Sequence, residues 1–194
     1  HVDRNCIQFD FLLTDQSKCQ FEDEILSLGG RVFRVPLLTI ANPFPYIKGV
    51  KNFLEEHPEY KIVHSHTSSK SFFPLFLAKR QGVPVRISHS HSSMAESGIN
   101  GMIRKMLRPF LKLVATDWVT CGEQAGEYLY GKKAQKEGKV KLFRNVIEAE
   151  RFRFSTEKRE QMRDSLGIDN DVFVIGHTAR FNPVKNHKFD VDIL

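Results

Sequence analysis

Short apolar or β-branched runs alternate with amphipathic segments along the chain. Such runs predict strands at residues 7–13, 31–35, 61–64, 85–89, 117–121 and 140–143. Amphipathic spacing predicts helices at residues 20–28, 46–57, 71–81, 101–114 and 123–130, most of which end at a glycine or before a proline. This alternation is typical of βαβ units. We therefore predict the α/β class, with a Rossmann-like parallel sheet that has helices on both faces and spans residues 7 to about 145.

The character of the sequence changes near residue 150. A charged amphipathic stretch at residues 155–166 is followed by a glycine, a predicted strand at 172–177 and a helix start at 185–194. These elements are too few to close a core by themselves. We predict a first Rossmann-like domain over residues 1–150, lacking its first strand, and the incomplete beginning of a second Rossmann-like domain over residues 151–194. Within the first domain, Pro109 should kink or split its helix.

Composition narrows the class of protein. The 194 residues are 41% hydrophobic, which is enough for one α/β core and excludes a disordered chain. The net charge of +6 is compatible with a nucleic acid, an anionic membrane or a phosphate-bearing substrate. However, the basic residues are mixed with acidic ones, and no aromatic-basic RNA-binding signature accompanies them, so a nucleic-acid partner is not expected.

Cysteine usage and hydropathy indicate the compartment. The three cysteines are an odd number without Cys-x-x-Cys spacing, so neither a disulfide framework nor a cysteine zinc site is implied, and a reducing cytosol fits best. No apolar run approaches the roughly 18 residues that span a bilayer. We expect a soluble, cytoplasmic protein that is peripheral to a membrane at most.

Four histidines fall at the ends of two predicted strands: His64 closes one and His66 follows it, and His89 closes the next and His91 follows it. Ligands bind at the carboxyl ends of strands in open parallel sheets. Imidazoles there can serve acid–base chemistry or hydrogen-bond a polyol, while the alternative is that they cap strand ends by bonding to loop backbone. Each His-x-His pair offers two metal ligands but lacks a third apart from Glu96, so we expect no metal.

A second candidate site lies in the last quarter of the chain. The predicted strand at 172–177 runs into a turn that carries Arg180 and Lys185, and a helix is predicted to start near Val184. An arginine and a lysine at a helix N-terminus can bind a diphosphate, because the guanidinium forks onto two oxygens while the ammonium and the helix dipole add positive charge. The alternative is a surface turn with two solvated cations.

These motifs resemble those of family-four glycosyltransferases, which are retaining enzymes of the GT-B fold, notably those of capsule and exopolysaccharide synthesis. The resemblance rests on several motifs in the expected order: His64-Ser65-His66, Val83 to His91, Asn145-Val146-Ile147-Glu148 before Phe152, Gly176, Arg180-Phe181 and Lys185-Asn186-His187. Val146 stands where a glycine is customary, and Asp190 stands where an apolar residue is expected. The family's glycine-rich segment and paired-glutamate motif are missing, so we expect the chain to be truncated at both ends.

The resemblance implies transfer of a sugar from a nucleotide-diphosphate donor to an acceptor hydroxyl with retention, without a metal or another cofactor. In this assignment Arg180, Lys185 and Asn186 bind the donor diphosphate, and His91 or His89 faces the reacting sugar. The acceptor or sugar side is assigned to His64, His66 and Ser68. The fragment is expected to be inactive alone.

The partners implied are a nucleotide sugar and a carbohydrate or lipid-linked acceptor. The basic residues of the helix at 102–112 could contact anionic lipid on the inner face of the plasma membrane: Arg104, Lys105, Arg108 and Lys112. The alternative is an ordinary surface helix.

Two other functions use the same predicted fold. A non-enzymatic domain could bind a sugar phosphate at the same sheet edge. A nucleotide-sugar epimerase of GT-B architecture would instead need carboxylate and histidine bases around the sugar, and the Arg-Phe and Lys-Asn-His pattern disfavours it.

Overall fold

The computed structural model describes residues 3–39, 41–92 and 98–193. The chain forms two compact units, His1–Asn145 and Val146–Leu194. Glu96, the only carboxylate that the sequence offered as a partner for the histidines, lies outside the described residues.

The first unit alternates strands and helices. The strands are β1 (Phe11–Leu13), β2 (Val32–Arg34), β3 (Ile62–Ser65), β4 (Val85–Ser90), β5 (Asp117–Thr120) and β6 (Val140–Leu142). The helices are α1 (Glu22–Ser27), α2 (Phe44–Glu56), α3 (Phe72–Arg80), α4 (Gly98–Val114), α5 (Glu123–Tyr130) and α6 (Lys132–Lys136). A 3-10 turn, Ser68–Ser71, precedes α3. Every described strand pair is parallel, so the predicted Rossmann-like α/β class is confirmed.

Two local features go beyond the sequence prediction. Pro109 was predicted to kink or split its helix, and of these two outcomes the split does not occur, because α4 continues through it from Gly98 to Val114. The short helix α6 was not predicted, since it follows α5 after the single residue Gly131, whose φ of 88° breaks the helical path.

Backbone pairing divides the strands into two parallel sheets, β1-β2 and β3-β4-β5-β6, where we predicted one. In a doubly wound sheet the first strand of the domain lies between the second and the fourth. In the described residues no strand lies between β1 and β3. The two sheets still share a core, because Leu12 of β1 and Val63 of β3 pack against the same buried cluster.

Side chains also join the two sheets at the amino ends of their strands. Tyr60, just before β3, donates a hydrogen bond to the carboxylate of Asp10, just before β1. The Arg31 guanidinium lies 2.8 Å from the same carboxylate and 3.3 Å from Glu59. Burial opposes ionisation of Asp10, but the hydrogen bonds from Tyr60 and Arg31 outweigh it and lower the pKa of this carboxyl. This network fixes β1 beside β3 without backbone pairing.

Apolar side chains from the helices bury against the sheets in two clusters. One is built around Val50 and Leu54 of α2, and the other around Leu111 of α4 and Leu129 of α5. Leu111 is fully buried, whereas Leu113, two residues further along α4, is 68% exposed. The same helix therefore has one face in the core and another in solvent.

The second unit contains few elements. Helix α7 (Thr156–Leu166) begins after Ser155, whose hydroxyl accepts a hydrogen bond from the Lys158 backbone at 3.2 Å, and it ends at the left-handed Gly167. The strand predicted at residues 172–177 was wrong, since these residues form no strand in the structure. A strand needs a neighbour to satisfy its backbone groups, and the described part of this unit supplies none. No residue described in this unit is buried.

Candidate functional site

Strand register brings the four strand-end histidines together. β3 and β4 are parallel, with His64 paired to Ile87 and Ser65 paired to Ser88. Because residues two apart on a strand share a face, the side chains of both His-x-His pairs project from one face of the sheet. We call His64, His66, His89 and His91 the histidine quartet.

Ring contacts within the quartet are direct. Nε2 of His64 lies 3.2 Å from Nδ1 of His89, and Nδ1 of His66 lies 2.8 Å from Nε2 of His91. Ring centroids are 4.1 Å apart for His64 and His66 and 4.0 Å apart for His89 and His91. The four imidazoles therefore form two hydrogen-bonded pairs whose rings are in contact.

Desolvation favours the neutral form of His64, His66 and His89. Packing of the rings removes water from their nitrogens and, with repulsion from the neighbouring imidazoles, lowers the pKa of His64 and of His89 to about 4. The pKa of His66 is lowered for the same reasons. His89 is only 2% exposed, while the other three residues reach solvent. A neutral imidazole offers one N–H donor and one lone pair, so His64, His66 and His89 can each donate and accept a hydrogen bond.

Hydroxyl groups follow β3 next to the quartet. The hydroxyl of buried Ser65 donates to that of Ser71 at 2.9 Å, and the Thr67 hydroxyl lies 3.2 Å from both. Ser68, assigned by resemblance to the sugar side, begins the 3-10 turn with a φ of 54°, which is uncommon for a residue with a side chain. Strained backbone of this kind clusters at functional sites, so this loop is a candidate ligand-binding segment.

An open cavity of about 440 Å³ lies at the carboxyl ends of β4, β5 and β6. Its lining includes His91, Cys121, Glu123, Gln124 and Arg144. Sequence analysis missed Glu123 and Arg144, although the same rule would have found them, because they follow β5 and β6 at the edge that carries the quartet. His91 connects the quartet to this cavity.

Helix α5, which lines the cavity, is anchored to the sheet through Tyr130. The phenolic oxygen of Tyr130 lies 2.6 Å from the Ser88 carbonyl and 3.2 Å from the Val119 carbonyl, and the side chain is buried. Burial raises the pKa of Tyr130 to about 12, so it remains a neutral donor. This contact fixes the carboxyl-terminal end of α5 relative to β4 and β5.

The predicted donor-diphosphate residues lie in the second unit. Arg180 precedes a 3-10 turn, Pro183–Lys185, and Asn186 follows it in the left-handed conformation with a φ of 53°. The α-helix α8 (His187–Asp192) begins at His187, so the predicted start near Val184 was wrong. The side chains of Arg180, Lys185 and Asn186 are exposed.

The turn between Arg180 and Lys185 is held by polar contacts. The Asn182 side chain accepts a hydrogen bond from the Val184 backbone at 3.0 Å, and Nε2 of His187 donates to the Arg180 carbonyl at 3.0 Å. Asp190, the acid that departs from the expected apolar pattern, accepts a hydrogen bond from Nδ1 of His177. These hydrogen bonds connect α8 to the segment before the turn. The sequence pattern did not reveal them.

No helix in the described ranges is both long and apolar enough to cross a bilayer.

Comparison with known proteins agrees with these observations. The family described as "Glycosyl transferase 4-like domain" matches residues 1–135. The chain is 38% identical over 191 residues to EpsF of Bacillus subtilis (strain 168), which is named as a glycosyltransferase, and the match covers 97% of this chain and 50% of that protein.

A second relative comes from Escherichia coli. The chain is 24% identical over 164 residues to its UDP-Gal:alpha-D-GlcNAc-diphosphoundecaprenol alpha-1,3-galactosyltransferase, covering 80% of this chain and 42% of that protein. The chain thus spans about half the length of the curated relatives it matches. Because the family match extends over more than half of its residues, the chain belongs to the glycosyl transferase 4-like family.

Proposed function

We propose that the protein moves a sugar from a nucleotide-diphosphate donor to an acceptor hydroxyl, with retention of configuration, in the synthesis of a surface polysaccharide. The observation that carries the proposal is the histidine quartet at the carboxyl edge of a glycosyl transferase 4-like domain, next to an open cavity. Neutral imidazoles can donate to and accept from sugar hydroxyls without a net charge.

At the donor, negative charge grows on the β-phosphate as the bond to the sugar breaks. Arg180 and Lys185 stabilise that charge, and Asn186 adds a hydrogen bond to the diphosphate. The exposed side chains of Arg180 and Lys185 carry positive charge without an ion pair inside the described part of the second unit. Transfer by this arrangement requires no metal and no other cofactor.

At the sugar, His91 is the better placed of the two candidates. The Nδ1 of His89 already contacts His64, and His89 is almost fully buried. His91 reaches solvent and lines the cavity, so it can contact a sugar hydroxyl there. His64, His66 and Ser68 take the acceptor or sugar side.

The test is a transfer assay with the full-length protein and a panel of nucleotide sugars. We expect transfer from one donor with its anomeric configuration retained, as read by NMR of the product, and a loss of about 10²-fold when His91 is replaced by alanine. His57→Ala, which removes an imidazole outside the quartet, is the matched control and should transfer normally. Binding of a nucleotide sugar without transfer would favour the non-enzymatic binding domain. An epimerised donor formed without an acceptor would favour the epimerase.

We further propose that the protein acts at the inner face of the plasma membrane on a lipid-linked acceptor. Five apolar residues of α4, spaced three or four apart, are 52–72% exposed: Ile99, Met102, Met106, Phe110 and Leu113. This spacing places them in one stripe along the helix. The same helix carries Arg104, Lys105, Arg108 and Lys112, and a basic amphipathic helix of this kind binds in the membrane interface.

Liposome flotation of the full-length protein checks the membrane proposal. Binding should require anionic lipid, and Met106→Glu should weaken it about tenfold, because it removes buried apolar area and adds repulsion from the lipid. Gln20→Glu adds the same charge at an exposed position outside α4 and should bind normally. Equal flotation on neutral and anionic liposomes would contradict an electrostatic contact.

A further inference from the structure

The fold gives each His-x-His pair the additional ligands that it lacks in the sequence. Taken singly, a pair has two imidazoles and no third partner, which is why no metal was expected there. In the structure, His64, His66 and His89 each present a ligand nitrogen, and these nitrogens all lie within 4.8 Å of one another. His91 contacts the same group through His66.

The spacing of the nitrogens matches a tetrahedral metal site. Zinc–imidazole bonds of about 2.0–2.1 Å place neighbouring ligand nitrogens roughly 3.3 Å apart. Nε2 of His64 and Nδ1 of His89 are 3.2 Å apart, and the His66–His91 pair is separated by 2.8 Å. Rotation of the rings can bring the nitrogens of His64, His66 and His89, which already lie within 4.8 Å of one another, to this spacing around one ion.

The nature of the ligands selects the kind of metal. Imidazole nitrogens favour Zn²⁺, Cu²⁺ and Ni²⁺, whereas Mg²⁺ and Ca²⁺ require oxygen ligands. The described group consists of histidines alone.

We propose that the histidine quartet binds one divalent transition metal ion of the zinc class, and that the bound ion inhibits sugar transfer. The first part stands on geometry alone, and the second rests on the proposed function. A bound ion occupies the lone pairs that would accept hydrogen bonds from the sugar. In the proposed mechanism Arg180 and Lys185 neutralise the leaving diphosphate, so the ion has no catalytic role. It only blocks the imidazoles that bind the sugar.

The described surroundings of the quartet make this a reversible site. Permanent zinc sites support their histidines with carboxylates or carbonyls that accept the second ring N–H. Among the described residues the backbone of Phe143 hydrogen-bonds to His89, no carboxylate hydrogen bond to the quartet is found, and the imidazoles otherwise contact each other. We therefore expect binding that a chelator reverses, as a regulatory or inhibitory ion requires.

Cobalt spectroscopy on the full-length protein, with any affinity tag removed, tests the binding. Adding Co²⁺ should produce the visible absorption of a tetrahedral site at one ion per chain, and Zn²⁺ should displace it. His66→Gln should weaken binding at least about tenfold, whereas His57→Gln should leave it unchanged. Absence of this spectrum would overturn the proposal.

A second group of potential ligands provides a further control. His177, His187 and Asp190 also present ligand atoms within 4.8 Å of one another. His187→Gln should leave the cobalt spectrum intact. A spectrum that survives His66→Gln and is lost in His187→Gln would assign the metal to this group and overturn the quartet site.

Inhibition is measured separately, in the transfer assay. Zn²⁺ at a concentration that saturates the cobalt site should abolish most of the transfer, and a chelator should restore it. Cobalt binding without inhibition would overturn the regulatory part alone. Because the spectrum needs no sugar donor, failure of the proposed function would leave the binding result unaffected, so the two failures are distinguishable.

Discussion

Replacing Arg180 or Lys185 by alanine in the full-length protein is expected to lower turnover about 10²- to 10³-fold, the usual loss when a group that stabilises transition-state charge is removed. Charge builds up on the diphosphate mainly as the sugar departs. The loss should therefore appear in kcat more than in KM. Lys185→Arg should also be harmful, because a planar guanidinium does not replace a compact ammonium at one phosphate oxygen.

The local structure predicts that these substitutions leave folding nearly unchanged. Both side chains are exposed, and solvated cations contribute little to stability. The turn is held instead by Asn182 and by the hydrogen bond from His187 to the Arg180 carbonyl, which the alanine variants retain.

The control is Lys158→Ala, which removes an exposed cation of α7 in the same unit. Its kcat and thermal midpoint should both match the parent protein. If both Arg180→Ala and Lys185→Ala also turn over at near-normal rates, this segment is a charged surface turn and the donor-site assignment fails.

Replacing Leu111 by alanine is expected to reduce the free energy of unfolding by about 2–5 kcal/mol, as for other buried leucines. Leu111 has no exposed surface and packs with Leu75, Val114, Leu129 and Tyr130. Truncation removes its buried methyl groups and leaves a cavity that fixed neighbours cannot fill. The first unit should lose much of its stability, since domains are stable by only about 5–15 kcal/mol.

Leu113→Ala provides a matched comparison on the same helix. Its side chain is 68% exposed, so the loss should stay within about 0.5 kcal/mol. Urea unfolding followed by circular dichroism measures both variants. Equal destabilisation by the two would show that α4 does not pack as described. In liposome flotation Leu113→Ala should weaken membrane binding more than Leu111→Ala, because only Leu113 belongs to the exposed apolar stripe of α4.

Strand and helix positions in the first unit could be predicted because local pattern and tertiary packing agree there. The predicted strand at residues 85–89 appears as Val85–Ser90, and the predicted helix at residues 123–130 appears with identical bounds. At residues 172–177 the same kind of apolar run gave a wrong prediction, because a run of β-branched residues becomes a strand only beside another strand.

The candidate site could also be predicted only in part. Residue order showed that the histidines close or follow strands and that Arg180 and Lys185 lie in one turn. The contacts inside the quartet, the desolvation that lowers the pKa of His64 and of His89 to about 4, and the cavity beside His91 required coordinates.

Residue order alone was enough to predict the α/β class, the alternation of strands and helices, the family resemblance and the residues proposed to carry the chemistry, because these depend on local periodicity and on motifs read in order. Coordinates were needed to establish that β1-β2 and β3-β4-β5-β6 form separate sheets, that the two His-x-His pairs lie together and that one face of α4 is exposed. These features depend on which distant segments pair and in what register, and a shift of one residue in β3 against β4 would have moved His64 and His66 to the opposite face.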